Sequence, residues 1–284
     1  MARKKRAFWE SARLNSYTYR QHYNRLCEVA VSRFKWTGLP DTIDPRFMEL
    51  ALFSKGSAVF FKDEAMGYLC LRVLLNGRWD VYNTPIDRTA ITNNGYTMNL
   101  NQENSVIIWN NTLRIPSTLD VEMFALRLYN LDRAIDVNAN AQKTPVLIMC
   151  NEKQRFSMLN MYKEWDGNEP AIFADKGIDP KGLTVLKTDA PFVADKLFDL
   201  KTAIWNEAMT YLGIDNVNTV KKERLITEEA VRNSGGTLAN RYSALNARQL
   251  ACKQINEMFG LNIWCEFQGG DEVEQLHDTT KVDM

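Results

Sequence analysis

His22 and His277 are the two imidazoles in a chain of 284 residues. A Ser/His/Asp or Cys/His site would have to use one of them. His22 lies in a basic segment with helical patterning and His277 in an acidic terminal stretch, and nothing places a nucleophile beside either. Two carboxylate pairs at i, i+4, Asp132 with Asp136 and Asp195 with Asp199, could in principle hold Mg²⁺ or move a proton. Two acids on a wet helix edge more often do neither. Cys27, Cys70, Cys150, Cys252 and Cys265 are odd in number, scattered and without a C-x-x-C pair, so they read as reduced core thiols of a cytoplasmic product, not as clustered metal ligands. Neither G-x-x-x-x-G-K-[ST] nor G-x-G-x-x-G occurs. The expectation is no catalytic residue, no metal and no cofactor.

Cations are the remaining chemistry, and their natural partners are phosphates. The chain balances 35 basic against 35 acidic residues, which argues against a general polyanion coat. The balance is uneven, however. Residues 1–35 carry nine basic and two acidic side chains, a net +7, so the remainder is −7. Arg3, Lys4, Lys5 and Arg6 form a basic arm expected to be mobile, and Lys221, Lys222 and Arg224 form a second basic run. No apolar run reaches the ~18 residues of a membrane span, and the charged start has no hydrophobic region behind it.

Periodicity supplies the elements that must position these groups. Leu14, Tyr17, Leu26, Val29, Ala30 and Phe34 predict a helix over 8–35, broken by Gly38, Pro40 and Pro45. Residues 58–110 read as a small antiparallel sheet or barrel, with a hairpin at Asn76 and Gly77, a second over 91–100 and a strand at 105–111. Ser117 is a suitable N-cap and Asp120 suits the dipole of a long helix over 117–142, where Phe124, Leu128, Leu131 and Ile135 recur at helical spacing. Residues 143–189 read as a compact α/β insert. A second long helix follows over 190–213, with Thr188 or Asp189 as cap, Pro191 in its first turn and Gly213 at C′. Its roughly 22 residues span about 33 Å. Residues 215–236 read as a loop, 246–260 as a helix followed by a strand, and the acidic end as frayed.

The second long helix has an unusual surface. Val193, Leu197, Leu200, Ile204, Ala208 and Tyr211 form one apolar stripe, and Ala194, Phe198, Trp205, Met209 and Leu212 another. Asp195, Asp199, Thr202, Asn206 and Thr210 leave a narrow polar strip, with Lys196, Lys201 and Glu207 at its margins. A surface helix of a lone molecule has one apolar and one broad polar face. Two arrangements fit: a central helix whose edge reaches solvent, or a ring of identical helices, each flanked by its copies, with the strip facing a wet lumen.

Six stretches carry a family resemblance: "WTGLPDTIDPRF" (36–47), "RWDVYN" (78–83), "NANAQKTPVLI" (138–148), "YKEWDGNEPAIFA" (162–174), "KTDAPFVADKL" (187–197) and "AIWNEAMTYLGIDN…VKKERLITEE" (203–229). In this order they resemble the upper collar proteins, also called portal or head–tail connector proteins, of small podovirus-type bacteriophages with terminal-protein-primed DNA replication. The resemblance implies an α+β portal-type subunit. Residues 1–116 would be arm and wing, with the small β-sheet or barrel. Residues 117–142 and 190–213 would be two stem helices, 143–189 the clip, and 214–284 the tunnel loop, wing or crown and acidic tail. It also implies a dodecameric ring in the virion at one capsid vertex, assembled in the host cytoplasm. Implied partners are double-stranded DNA, the major capsid and scaffolding proteins, lower collar and tail proteins, and a packaging ATPase that supplies the force; no membrane is involved. The family's channel lysines fall on Lys187 and Lys196, and its tunnel loop on 215–233 with Lys221, Lys222 and Arg224. The arm from Arg3 to Arg6 matches the one that meets the packaging machinery and, in some members, a structural RNA. Residues 233–248 depart from the pattern.

A channel that moves DNA should not hold it fast. A ~30 Å stem faces about 20 phosphates, and each one neutralised adds salt-dependent affinity. Asp195, Asp199 and Glu207 interspersed with Lys196 and Lys201 suit sliding past one or two positive rings, which cannot read base sequence. Two other classes fit the residues alone: a collar ring that never touches DNA, and a monomeric nucleic-acid-binding protein using the basic arm.

Overall fold

The computed structural model describes the backbone of residues 2–141, 146–148, 183–185, 191–215 and 227–268, and side chains within 15–140, 191–215 and 235–268. The chain forms two compact units, one of residues 1–130 with 201–284 and one of 131–200.

The first unit begins with α1 (Ala2–Ser32), a longer helix than the apolar pattern predicts. The basic arm is its first turn and not a separate mobile segment, because 2–32 contains neither Gly nor Pro and Ala, Arg and Lys are strong helix formers. The helix also ends earlier than expected. Phe34 leaves it for β1 (Phe34–Thr37), which pairs antiparallel with β9 (Trp264–Phe267).

Helix α2 (Pro45–Lys55) is not among the elements the apolar spacing predicts, although its ends carry clear signals. Asp44 accepts a hydrogen bond from the Arg46 N–H at 2.9 Å, Pro45 opens the helix, and Gly56 closes it at φ +80°. Beyond it lies a five-stranded antiparallel sheet in the order β5-β4-β3-β2-β6. Its strands are β2 (Ser57–Asp63), β3 (Gly67–Leu74), β4 (Asp87–Ile91), β5 (Thr97–Asn101) and β6 (Ser105–Trp109). The expected hairpin over 91–100 is β4 to β5. The hairpin expected at Asn76 and Gly77 does not form: β3 ends at Leu74 and no strand follows before Asp87. There Asp80 Oδ1 accepts from the N–H groups of Tyr82 and Thr84, Asn83 takes φ +55°, and Arg78 reaches across to Asp87. An aspartate folding its own backbone into a turn outcompetes pairing.

Strand β2 is buried on both faces. Ala58 and Phe60 point into a core with Met48, Leu52, Ile108, Cys252, Ile255 and Ile263, whereas Val59 and Phe61 meet Val73, Ala90 and Leu100 inside the curled sheet. The first core is roofed by α5 (Thr227–Phe259). This helix corrects the reading of 227–236 as loop. In the part missed, its buried side is built from Thr237, Ala244 and Leu245, mostly small groups whose periodicity is faint. Helices α1, α3 (Thr118–Ala141) and α4 (Ala194–Leu212) share another core of Leu26, Ala30, Phe53, Val121, Ala125, Leu128, Ala208, Met209 and Leu212. In the second unit, β7 (Val146–Ile148) pairs antiparallel with β8 (Leu183–Val185).

Arg248 of α5 is 1 % exposed. Its Nε and Nη2 donate to the Glu49 carboxylate of α2 at 2.9 and 2.7 Å, and Nη1 donates to the carbonyls of Asn110 and Ala244 at 2.8 and 3.0 Å. Trp36 Nε1 of β1 donates to the same carboxylate at 2.8 Å, and the guanidinium lies 3.9 Å from the Phe34 ring centroid. Removing one partner strands the other charge away from water. Glu49→Ala should therefore lower unfolding free energy by about 3–5 kcal/mol. Urea denaturation measures it, and a loss under about 1 kcal/mol would mean that the pair is not structurally required.

Candidate nucleic-acid interface

Helices α3 and α4 run antiparallel. Tyr211 donates to Asp120 at 2.7 Å, Arg127 meets Glu207 at 3.8 Å, and in the second unit Asn138 brackets the start of α4. There Asn138 Nδ2 donates to the Pro191 carbonyl at 2.9 Å, and its Oδ1 accepts from the Val193 N–H at 3.0 Å. The helix starts at Ala194, so Pro191 precedes it and does not occupy its first turn. Asn138 thus takes up the Val193 backbone donor, and the expected caps Thr188 and Asp189 lie outside the described residues. The nineteen residues of α4 span about 28 Å. Burial, reinforced by the Asp120 hydrogen bond, pushes the Tyr211 hydroxyl up to about 12.

The other end of α4 stops as the sequence predicts. Gly213 takes φ +75°, its N–H donates to the Thr210 carbonyl, and the Ile214 N–H donates to the Met209 carbonyl. These are the two bonds of a Schellman cap. Three side chains from other elements hold the same turn. Arg33 Nη1 donates to the Leu212 carbonyl at 2.6 Å, Asn240 to the Thr210 carbonyl at 3.0 Å, and Arg241 Nε to the Gly213 carbonyl at 2.8 Å. Arg241 also pairs with Asp215 at 2.7 Å and lies 4.3 Å from the Phe267 ring centroid. Burial and the nearby Arg248 charge draw the Arg33 guanidinium down to about 10. Periodicity could not single out Arg33, Asn240 or Arg241, because their partners are backbone carbonyls distant in the chain.

Among the expected contact residues, Lys196 lies on α4 and is exposed, as are its neighbours Asp195 and Asp199. Lys187, Lys221, Lys222 and Arg224 lie outside the described residues. Arg3, Lys4, Lys5 and Arg6 belong to α1, with side chains outside the described set. The polar strip is not wet throughout. Thr210 is half-buried where Asn240 and Gly236 of α5 approach it. Of the carboxylate pairs, Asp136 is engaged by Arg133 at 3.4 Å. His22 is buried.

The apolar flanks emerge in an unforeseen place. On α3, Val121, Ala125 and Leu128 are buried, while Leu119, Met123 and Leu126 are 67 %, 53 % and 41 % exposed. At 100° per residue the two sets lie on opposite faces. On α4, Phe198 and Leu200 are exposed on different flanks. Among the described residues, no helix is long and apolar enough to cross a membrane.

A family model described as Phage Connector (GP10) matches residues 4–270. The chain belongs to the phage connector family. Solved structures similar to this connector include phage portal chains. A chain from the portal and tail of native bacteriophage P68 is 16 % identical, with 99 % of this chain and 98 % of that one covered and a TM-score of 0.50. An HK97-family phage portal protein from Corynebacterium diphtheriae is 12 % identical over 90 % and 94 % of the two chains, with a TM-score of 0.42. A chain from the virion of a native gene transfer agent particle is 10 % identical over 92 % and 84 %, at 0.46. The first of these bears on architecture: the connector is an α+β subunit of portal type.

The clamp on α4 is testable. Arg241→Met leaves the Gly213 carbonyl and Asp215 without their donor. It should cost about 1–3 kcal/mol and raise amide exchange across 209–214. Unchanged exchange there would show that the cap holds without Arg241.

Proposed function

We propose that copies of this connector close into a ring of twelve at one capsid vertex of the virion. Double-stranded DNA passes through its channel on packaging and ejection. The observation that carries this reading is α3, apolar on two opposite faces, with Leu119, Met123 and Leu126 open to solvent in the single subunit. A neighbouring copy that covers this stripe through a heterologous contact relieves the exposure, and repetition of such a contact closes a ring. Membership of the phage connector family supports the same assembly.

In this reading the wet part of α4 faces the channel. Lys196 forms one positive ring and Lys187 a second, while Asp195 and Asp199 keep the lining from gripping phosphates. Lys221, Lys222 and Arg224 line the tunnel loop. Arg3, Lys4, Lys5 and Arg6 offer a cationic turn to the packaging machinery or to a structural RNA. Capsid and scaffolding proteins contact the ring during assembly in the host cytoplasm, and lower collar and tail proteins dock on the clip over 143–189. The stem, clip and wing follow the bounds the resemblance implies. The chain itself performs no catalytic step, and a separate ATPase supplies the force.

Electron microscopy of the purified protein, viewed down the symmetry axis, should show a hollow ring of twelve. Met123→Glu places a charge in the contact and should shift the protein to monomers at the same concentration; intact rings would remove the α3 stripe from the interface. Lys187→Ala combined with Lys196→Ala should leave rings whole and reduce DNA retention in filled capsids. Full retention in the double variant would sink the role of both rings.

A further inference from the structure

Between α5 and β6 runs a groove of about 600 Å³. Ile107 and Trp109 form one wall, Leu250 and Met258 the other, with Arg88 and Arg114 among its lining. Leu250 and Met258 are 57 % and 37 % exposed, yet Arg88 is only 4 % exposed. The Arg88 guanidinium donates to carbonyl oxygens alone: Nη1 to Ser105 at 3.4 Å, and Nη2 to Pro85 at 3.1 Å and Ile86 at 3.5 Å. Its Nε has no hydrogen-bond partner. Asp87 next to it is held by Arg78, at 2.9 and 3.0 Å. Glu257 also lines the groove, but among the described residues no carboxylate comes within ion-pair distance of Arg88. The Asp87 carboxylate attracts the buried Arg88 charge from beside it but bonds to Arg78, so an acidic group entering the groove would supply the direct contact that Arg88 lacks. Arg114, whose guanidinium lies 4.7 Å from the Trp109 ring centroid, adds a second positive charge.

We propose that this groove receives the acidic C-terminal segment of the same chain, residues 271–276, with a glutamate on Arg88 and Val273 and Leu276 against Leu250 and Met258. The charge is complementary. Residues 269–284 hold Asp271, Glu272, Glu274, Asp278 and Asp283 against Lys281, a net −4 with His277 neutral. The sequence "DEVEQL" sets two apolar side chains among its acids, as an apolar wall beside a cation requires.

The reach also fits. Strand β9 runs antiparallel along α5: Gln249 donates to the Cys265 carbonyl at 3.1 Å, Asn256 donates to the Ile263 carbonyl at 2.9 Å, and Arg241 lies under Phe267. The strand therefore ends beside the Arg241 turn, and the α5 wall of the groove begins at Ala247. Six helical residues are about 9 Å, and passing around a helix about 10 Å wide adds a similar distance. About six to eight extended residues beyond Gln268 cover roughly 20–27 Å, which brings the acidic segment to the groove. This proposal stands apart from the ring, since groove and segment belong to one subunit.

The test uses the full chain with Val273 replaced by a benzophenone-bearing phenylalanine, irradiated and digested for mass spectrometry. The expected crosslinks fall on residues 247–258, the product runs as a single chain on a denaturing gel, and yield drops at least tenfold when Glu272→Lys and Glu274→Lys are added. A circular dichroism spectrum and a melting temperature unchanged by the charge reversal separate loss of docking from loss of fold. Crosslinks to other segments, crosslinks joining two chains, or a yield indifferent to the charge reversal would each overturn the proposal.

Discussion

The guanidinium of Arg248 lies beyond the reach of water, and its neutralisation constrains everything around it. One carboxylate, Glu49, meets it in a two-pronged contact, and that carboxylate also accepts from Trp36. The remaining donors are spent on the Asn110 and Ala244 carbonyls. Helix α5, helix α2, strand β1 and the end of β6 therefore share one relative placement, because any slip would leave a buried charge or carbonyl unmatched. An apolar core tolerates small sliding. A fork of five donors with fixed directions does not.

The same rigidity passes to the end of α4. Arg33 sits close enough to Arg248 for the two charges to oppose one another, and it reaches the last turn of α4 through the Leu212 carbonyl. Asn240 and Arg241 come to that turn from α5. The end of α4 is thus anchored to the framework that the Arg248 contact orders. A Schellman turn alone contributes only local hydrogen bonds, so these three side chains tie the end of α4 to the rest of the core.

Outside this buried framework, several apolar groups lie exposed: Leu119, Met123 and Leu126 on α3, with Leu200 on α4. Lys196, Asp195 and Asp199 share α4 with the last of them. In a ring, the first set would meet neighbouring copies and the second would meet water and DNA, so one pair of helices would serve both assembly and passage.

Much of this was legible in the residues. Gly213 ended α4 at a positive φ, Ser117 preceded α3, the hairpin over 91–100 formed, and the ordered motifs pointed to the connector family that the comparison established. These features are local, set by backbone sterics and short-range periodicity, or carried by the motifs themselves. The turn over 78–83 was misread because β-rich composition does not reveal that Asp80 will bind its own backbone. Helix α5 was half missed because small and polar residues leave little apolar rhythm even when one side is buried. Only the tertiary structure decided that Arg248 meets Glu49 across 199 residues, that Arg33 caps a helix 179 residues away, and that α3 has a second, uncovered apolar face. Such pairings depend on which surfaces remain after the chain has packed, and no spacing along a single strand of sequence encodes that remainder.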